Sequence, residues 1–183
     1  AAHFVGVSLG GMIAQTAVDF LAAEVWPNLE RIDHQEEGLM QSILVKAGEL
    51  GLLGLAVPEE YGGGGGTFAH EAVLYEQQTY AVDSSLGLGV HTGIVMGYLT
   101  GYGTQEQKER WLPQLCSGEV VGAIAMTEPG GGSDLQAIRA HAVRDGDDYL
   151  VSGSKTFITN GFLAGLLVLA VKTDPGQRAS GLS

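Results

Sequence analysis

The feature that most constrains how this chain can fold is a change in hydrophobic period near residues 116–119. Before it, apolar residues recur at helical spacing. After it, short β-branched runs alternate with turn signals. Ile13, Ala17, Phe20, Leu21 and Val25 form a first stripe with Asp19 and Glu24 off it. Trp26-Pro27 kinks or restarts that helix, because proline removes a backbone donor. Residues 39–50 carry a second stripe through Ile43, Leu44 and Ala47, stopped by Gly51, and the charged residues 31–37 read as a solvated connection. Residues 67–81 predict a helix with Phe68, Ala72, Tyr75 and Thr79 on its period and Glu71 and Glu76 toward water or a neighbouring helix. Asp83-Ser84-Ser85 offers N-caps for a helix through Leu88, His91, Val95 and Leu99. Its glycines at 87, 89, 93 and 97 each cost up to about 1 kcal/mol of helix propensity. They make sense where another helix or a ligand crosses closely. Thr104 and Gln107 form a capping box for a helix bearing Trp111, Leu112 and Leu115, and Pro113 with Ser117-Gly118 ends the helical half.

Strands are predicted at residues 120–126, 138–144, 149–152, 157–159 and 166–171, at least five in all, with Asp145-Gly146-Asp147-Asp148 as a hairpin turn. Helices first and strands after give an α+β chain: an all-helical domain at 1–118, then a partial β-barrel-like or β-sandwich domain at 119–183.

Composition narrows the partners. Nine basic and 21 acidic residues leave a formal charge of −12 over 183 residues, which repels nucleic acid and anionic membrane surfaces. The longest apolar run, residues 161–171, is shorter than the ~20 residues a bilayer span needs. A basic leader ahead of an apolar segment is absent from the first residues, so no secretory signal is read there. The lone Cys116 excludes an internal disulfide and fits a reducing compartment.

Two segments carry candidate chemistry. Residues 126–137 leave a buried strand through Glu128-Pro129, extended because of the proline, and then bend through Gly130-Gly131-Gly132. Without Cβ atoms such a bend can turn bare amides toward an anionic or carbonyl-rich ligand, and Ser133 and Asp134 can tie it to its own backbone. About one hairpin further on stands Lys155-Thr156-Phe157-Ile158-Thr159-Asn160-Gly161. The five glycines 62–66 with Ala69 satisfy a G-x-G-x-x-A pattern, but no buried strand precedes them, so they read as a flexible loop.

Thr127-Glu128-Pro129 with Ser133-Asp134, and Lys155-x-Phe157-Ile158-Thr159-Asn160-Gly161, resemble the acyl-CoA dehydrogenase family. So do Val57-Pro58-Glu59-Glu60-Tyr61-Gly62-Gly63 and Gly103-Thr104-Gln105-Glu106-Gln107-Lys108 with Trp111-Leu112-Pro113, all in family order. The resemblance implies an FAD-dependent α,β-dehydrogenation of an acyl-CoA thioester to trans-2-enoyl-CoA, as in fatty-acid β-oxidation. It implies an N-terminal helical domain, a middle β-domain and a C-terminal helical domain, the last not represented here. By resemblance, Ile124, Ala125, Met126, Thr127, Gly132 and Ser133 contact the flavin on one side. Ser133 also meets the pyrophosphate region or the CoA. Phe157, Ile158 and Thr159 lie against the ring, with phenylalanine where many members carry tryptophan. The catalytic base is a glutamate of the C-terminal domain, so the chain reads as a fragment with little turnover and weak FAD binding alone. The resemblance further implies an electron-transferring flavoprotein as acceptor, a homodimeric or homotetrameric parent, and a cytoplasmic location, or the mitochondrial matrix in a eukaryote. Acyl-CoA oxidase or flavin monooxygenase chemistry on the same scaffold, and a non-catalytic interaction module, remain alternatives.

Taken residue by residue, Thr127 and Thr159 could be ordinary strand threonines and Phe157 ordinary core. Lys155 reads as an exposed strand-end lysine and Glu128 as a loop residue, not a base. His70 and His91 have no second ligand at metal spacing, so no metal site is expected and both read as structural. Cys116 reads as a small apolar filler.

Overall fold

The computed structural model describes residues 8–81 and 86–183, so the predicted caps Asp83-Ser84-Ser85 lie outside the described residues. The chain divides into two compact units, Ala1–Val121 and Gly122–Ser183.

In the helical unit, α1 (Leu9–Phe20) buries Ile13, Ala17 and Phe20, and Ser8 caps it by accepting from the amide of Gly11. The helix widens into a π-turn at Leu21–Val25, tightens to a 3-10 turn at Trp26–Asn28 and resumes as α2 (Leu29–Asp33). The restart at Trp26-Pro27 follows from proline's missing donor. The next helix, α3 (Leu39–Glu49), buries Ile43, Leu44 and Ala47, the predicted stripe, and ends before Gly51 at φ +69°.

Helix α4 (Phe68–Tyr80) packs chiefly on α1. Its buried face differs from the predicted one: Glu71, Leu74 and Gln78 are buried, while Phe68 is 67% exposed. A hydrogen-bonded network around Glu71 makes burial of that carboxyl tolerable and rotates the helix accordingly. Residues Gly89–Met96 form a π-helical segment that leads into α5 (Gly97–Tyr102). The predicted close approach is met at Gly93, where a Cβ would stand 2.7 Å from Tyr75 Oη. At Gly89 and Gly97 nothing lies within 4 Å of a built Cβ. Helix α6 (Gln105–Cys116) starts with the predicted Thr104–Gln107 capping box. Pro113 sits inside α6 rather than ending it.

After the helices, β1 (Val121–Ala125) pairs with β4 (Ala164–Leu169). Strands β2 (His141–Asp145) and β3 (Asp148–Ser152) form an antiparallel hairpin in the register Val143↔Leu150. Gly146 takes the left-handed turn position at φ +64°. Lys172 bridges His141 on one side and Leu182 on the other. Ile138, Ala140, Ala142 and Val171 make the small core, with Leu169, Ala170 and Leu182 packed on it.

Four strands are present among the described residues, not five. The predicted strand at 157–159 is a chain of turns, with Phe157 at φ +55° and Asn160 at φ +62°. Left-handed backbone cannot continue a β-ladder. Among the described residues no helix is long and apolar enough to cross a membrane.

Candidate functional site

The strand β1 delivers Ile124, half-buried, and Ala125, buried, to the start of the glycine loop. Met126 and Thr127 follow, both half-buried. Glu128 and Gly131 then pair backbone to backbone, amide to carbonyl in both directions at 3.0 and 3.1 Å. This corrects the picture of a row of bare amides: the Gly131 amide is spent inside the turn. Those of Gly130 and Gly132 take no part in that pairing, and nothing lies within 4 Å of a Cβ built on Gly130. Ser133 is exposed, and the Asp134 carboxylate accepts from the amide of Gln136 at 3.2 Å.

The second motif meets the first directly. The Thr156 amide donates to the Thr127 carbonyl at 3.0 Å. Beyond that bond the chain turns through Phe157, whose side chain is 92% exposed. The turn at 158–163 is held by the amide of Gly161 on the carbonyl of Ile158 and by Asn160 Nδ2 on the carbonyl of Gly122 at 3.2 Å. Ile158 is half-buried and Thr159 exposed. The bulky aromatic is held in left-handed backbone and gains little from packing within these residues.

Sequence reasoning missed the centre of this arrangement. Lys155 is not an exposed strand-end lysine. Its ammonium lies 3.0 Å from Glu128 Oε1 and donates to the Met126 carbonyl at 2.9 Å, with both charged side chains 10% exposed. Glu128 also accepts from the amides of Arg139 (2.8 Å) and Ala140 (2.9 Å). Burial works to raise its pKa, but those two amides and Lys155 outweigh it and hold the carboxyl below its ordinary value. A lysine and a glutamate 27 positions apart give no periodic signal; only the fold pairs them.

A hollow of about 370 Å³ opens beside this pair, lined by Met126, Glu128, Gly132, His141 and Ser154 among others. Thr127, Ser133, Phe157, Ile158 and Thr159 do not line it. The two predicted flavin-contacting segments are joined backbone to backbone at Thr127 and Thr156, and of their predicted residues Met126 and Gly132 line the hollow.

The helical unit holds its titratable groups differently. His91 is fully buried with Nε2 3.0 Å from the Leu115 carbonyl. His70 Nδ1 accepts from the amide of Thr67 at 2.9 Å as part of a capping box. Cys116 is buried, and burial, with the charge of Glu71, pushes its thiol up to about 11.

Comparison with known proteins agrees with this architecture. The N-terminal domain of acyl-CoA dehydrogenase matches residues 11–119 and the middle domain residues 123–183. The chain belongs to the acyl-CoA dehydrogenase family. It is 43% identical over 160 residues to the mitochondrial long-chain specific acyl-CoA dehydrogenase of Rattus norvegicus, covering 87% of this chain and 37% of that protein. An acyl-CoA dehydrogenase structure from Geobacillus kaustophilus superposes with a TM-score of 0.89 at 42% identity, over 100% of this chain and 48% of that one. An acyl-CoA dehydrogenase from Bacillus anthracis, solved in complex with FAD, superposes at 0.84 and 38% identity, over 90% of this chain and 29% of that one. The chain thus spans well under two thirds of the length of the relatives it matches.

Proposed function

We propose that this chain forms the helical and flavin-contacting portions of an FAD-dependent enzyme that oxidises an acyl-CoA thioester to the trans-2-enoyl-CoA. The observation that carries the reading is the Thr156–Thr127 backbone bond, which brings the two family motifs together at one edge. The residues present suit a flavin: a solvent-facing aromatic plane at Phe157, hydroxyls at Thr127 and Thr159, and glycine amides beside them. When bound, FAD supplies the acceptor for the hydride that leaves the substrate's β-carbon.

In this reading Ile124, Ala125, Met126 and Thr127 set one wall, with Thr127 toward the polar edge of the ring. Gly132 and Ser133 receive the pyrophosphate or the CoA, because backbone amides and a hydroxyl accept negative charge without a cation. Phe157, Ile158 and Thr159 set the other wall, excluding water from one face and orienting the ring, which contributes much of the rate in such a reaction. The proton-abstracting carboxylate belongs to the part of the relatives that this chain does not span, as does much of the acyl pocket. Domains at 1–118 and 119–183, an electron-transferring flavoprotein as acceptor, a homodimeric or homotetrameric parent and a cytoplasmic or matrix location complete the proposal.

Titrating the chain with FAD, followed by flavin fluorescence, tests it. Weak saturable binding that Phe157→Ala and Thr127→Val diminish is expected, with little turnover of acyl-CoA in the presence of a dye acceptor. FAD binding indifferent to both substitutions removes these residues from the site, and rapid turnover would show that the base lies within these 183 residues.

A further inference from the structure

We propose that Glu128 and Lys155 are positioning residues: together they clasp the base of the glycine loop and fix the distance between Thr127 and Phe157. The second half of that statement rests on the flavin reading above. One carboxylate gathers donors from two other stretches of chain, the amides of Arg139 and Ala140 and the Lys155 ammonium, at 2.8 to 3.0 Å. The same ammonium holds the Met126 carbonyl at 2.9 Å. Four bonds therefore tie the exit of β1, the entry to β2 and the segment after β3 to one another.

Chain entropy explains why such a clasp is needed. The loop contains three consecutive glycines, each with more backbone freedom to lose than any other residue. Its first half is held by the Glu128–Gly131 pairing, and its second by the Asp134 side chain and a 3-10 turn at Leu135–Ala137. Without closure at the base, the glycine bend at 129–133 has little besides the Glu128–Gly131 pairing to hold one conformation. A buried ion pair adds little net stability over apolar side chains of the same volume. What it supplies here is direction. Donors point at both oxygens of Glu128, so a glutamine there would set its NH2 against an N–H whichever way it turned. A methionine at Lys155 would remove the cation that reaches across from the other motif, so that the two amides alone hold the carboxylate and open more readily.

The clasp sits beside the residues it would position. Glu128 follows Thr127, whose carbonyl takes the next bond, from the amide of Thr156. Phe157 follows at once. The chain before Lys155 also runs close to the entry of β2, where a Cβ on Gly153 would stand 2.5 Å from Ala140 Cβ. Any slackening at Lys155 is thus passed to the Thr127–Phe157 spacing within two residues.

Amide hydrogen exchange and FAD titration on the chain and its Lys155→Met and Glu128→Gln variants test this, with Leu150→Ser on the exposed hairpin as control. Exchange at Arg139 and Ala140 is expected to quicken about tenfold or more in both variants. The FAD dissociation constant is expected to rise by a similar factor, and the visible band of bound flavin to move as its two walls separate. Lys155→Arg, which keeps the cation, is expected to recover part of both losses. Unaltered exchange in Lys155→Met and Glu128→Gln, with flavin binding intact, overturns the clasp and leaves the flavin reading in place. Quickened exchange with unchanged affinity and spectrum overturns the positioning role. Quickened exchange in a protein whose unsubstituted form takes up no FAD supports the clasp and refutes the flavin reading.

Discussion

Tyr75 Oη lies 3.1 Å from Glu71 Oε2 and 2.5 Å from Thr92 Oγ1, so that one phenol links a buried carboxyl on α4 to the π-helical segment beside it. Thr92 in turn reaches the Leu88 carbonyl at 3.0 Å. Tyr75 donates to Glu71 Oε2, and Thr92 donates to the Leu88 carbonyl. Burial, opposed by the bonds from Tyr75 and the Ala56 amide, raises the Glu71 pKa, and it pushes Tyr75 up to about 12. The folded protein therefore holds a proton on Glu71 at pH values where the unfolded chain has lost it, and stability falls as pH rises through that window. Glu71→Gln, which mimics the neutral acid, is expected to abolish this fall. Thermal unfolding across the alkaline side of the carboxylate range checks it, and an unaltered slope in the variant would place the proton elsewhere.

His91 acts in the opposite direction. Burial lowers its pKa from 6.5 to about 4, against the Leu115 carbonyl that favours the protonated ring. Between those values the unfolded chain binds a proton that the folded one refuses, so stability rises with pH there, by up to about 3 kcal/mol. His91→Gln keeps a donor for Leu115 and is expected to flatten the acid limb while leaving the Glu71 limb intact. Melting curves between pH 4 and pH 6.5, the limits set by the shift itself, measure the effect.

Gly153 makes a separate prediction. Its φ of +149° is open to glycine and poorly open to other residues, and a Cβ there would meet Ala140 Cα at 2.7 Å and Cβ at 2.5 Å. Gly153→Ala is expected to destabilise the second unit by about 1–3 kcal/mol, as overpacking of a tight contact does. Denaturant unfolding followed by a probe in that unit reads it, and a variant as stable as the original would mean that the β2 entry yields without cost.

What could be read from the sequence follows from the range over which each signal acts. The α1 and α3 stripes, the Pro27 restart, the Thr104–Gln107 box and the Gly146 hairpin are local, set by spacings of a few residues, and the structure has each of them. The orientation of α4 is not local. Its apolar period pointed to Phe68, whereas a polar network with the π-helical segment, 17 residues from Tyr75 to Thr92, turns Glu71 inward. The site divides in the same way. Both motifs are visible as strings, but the ion pair that joins them spans 27 residues. Phe157 was misread for a related reason: its neighbours Ile158 and Thr159 favour strand, and backbone handedness at one residue leaves no mark on composition.

That handedness allows function to be separated from stability at a single position. Phe157 sits at φ +55° with its ring 92% exposed, so its side chain contributes almost no packing while its backbone carries the cost of a left-handed residue, about 1–2 kcal/mol. Asparagine tolerates that conformation better, because its short polar side chain bonds locally. Phe157→Asn is therefore expected to leave the melting temperature unchanged or raise it, while FAD affinity falls for want of the aromatic plane. A variant that loses stability would show that the ring packs in solution. One that keeps both stability and full FAD affinity would show that the strained turn serves something other than the flavin.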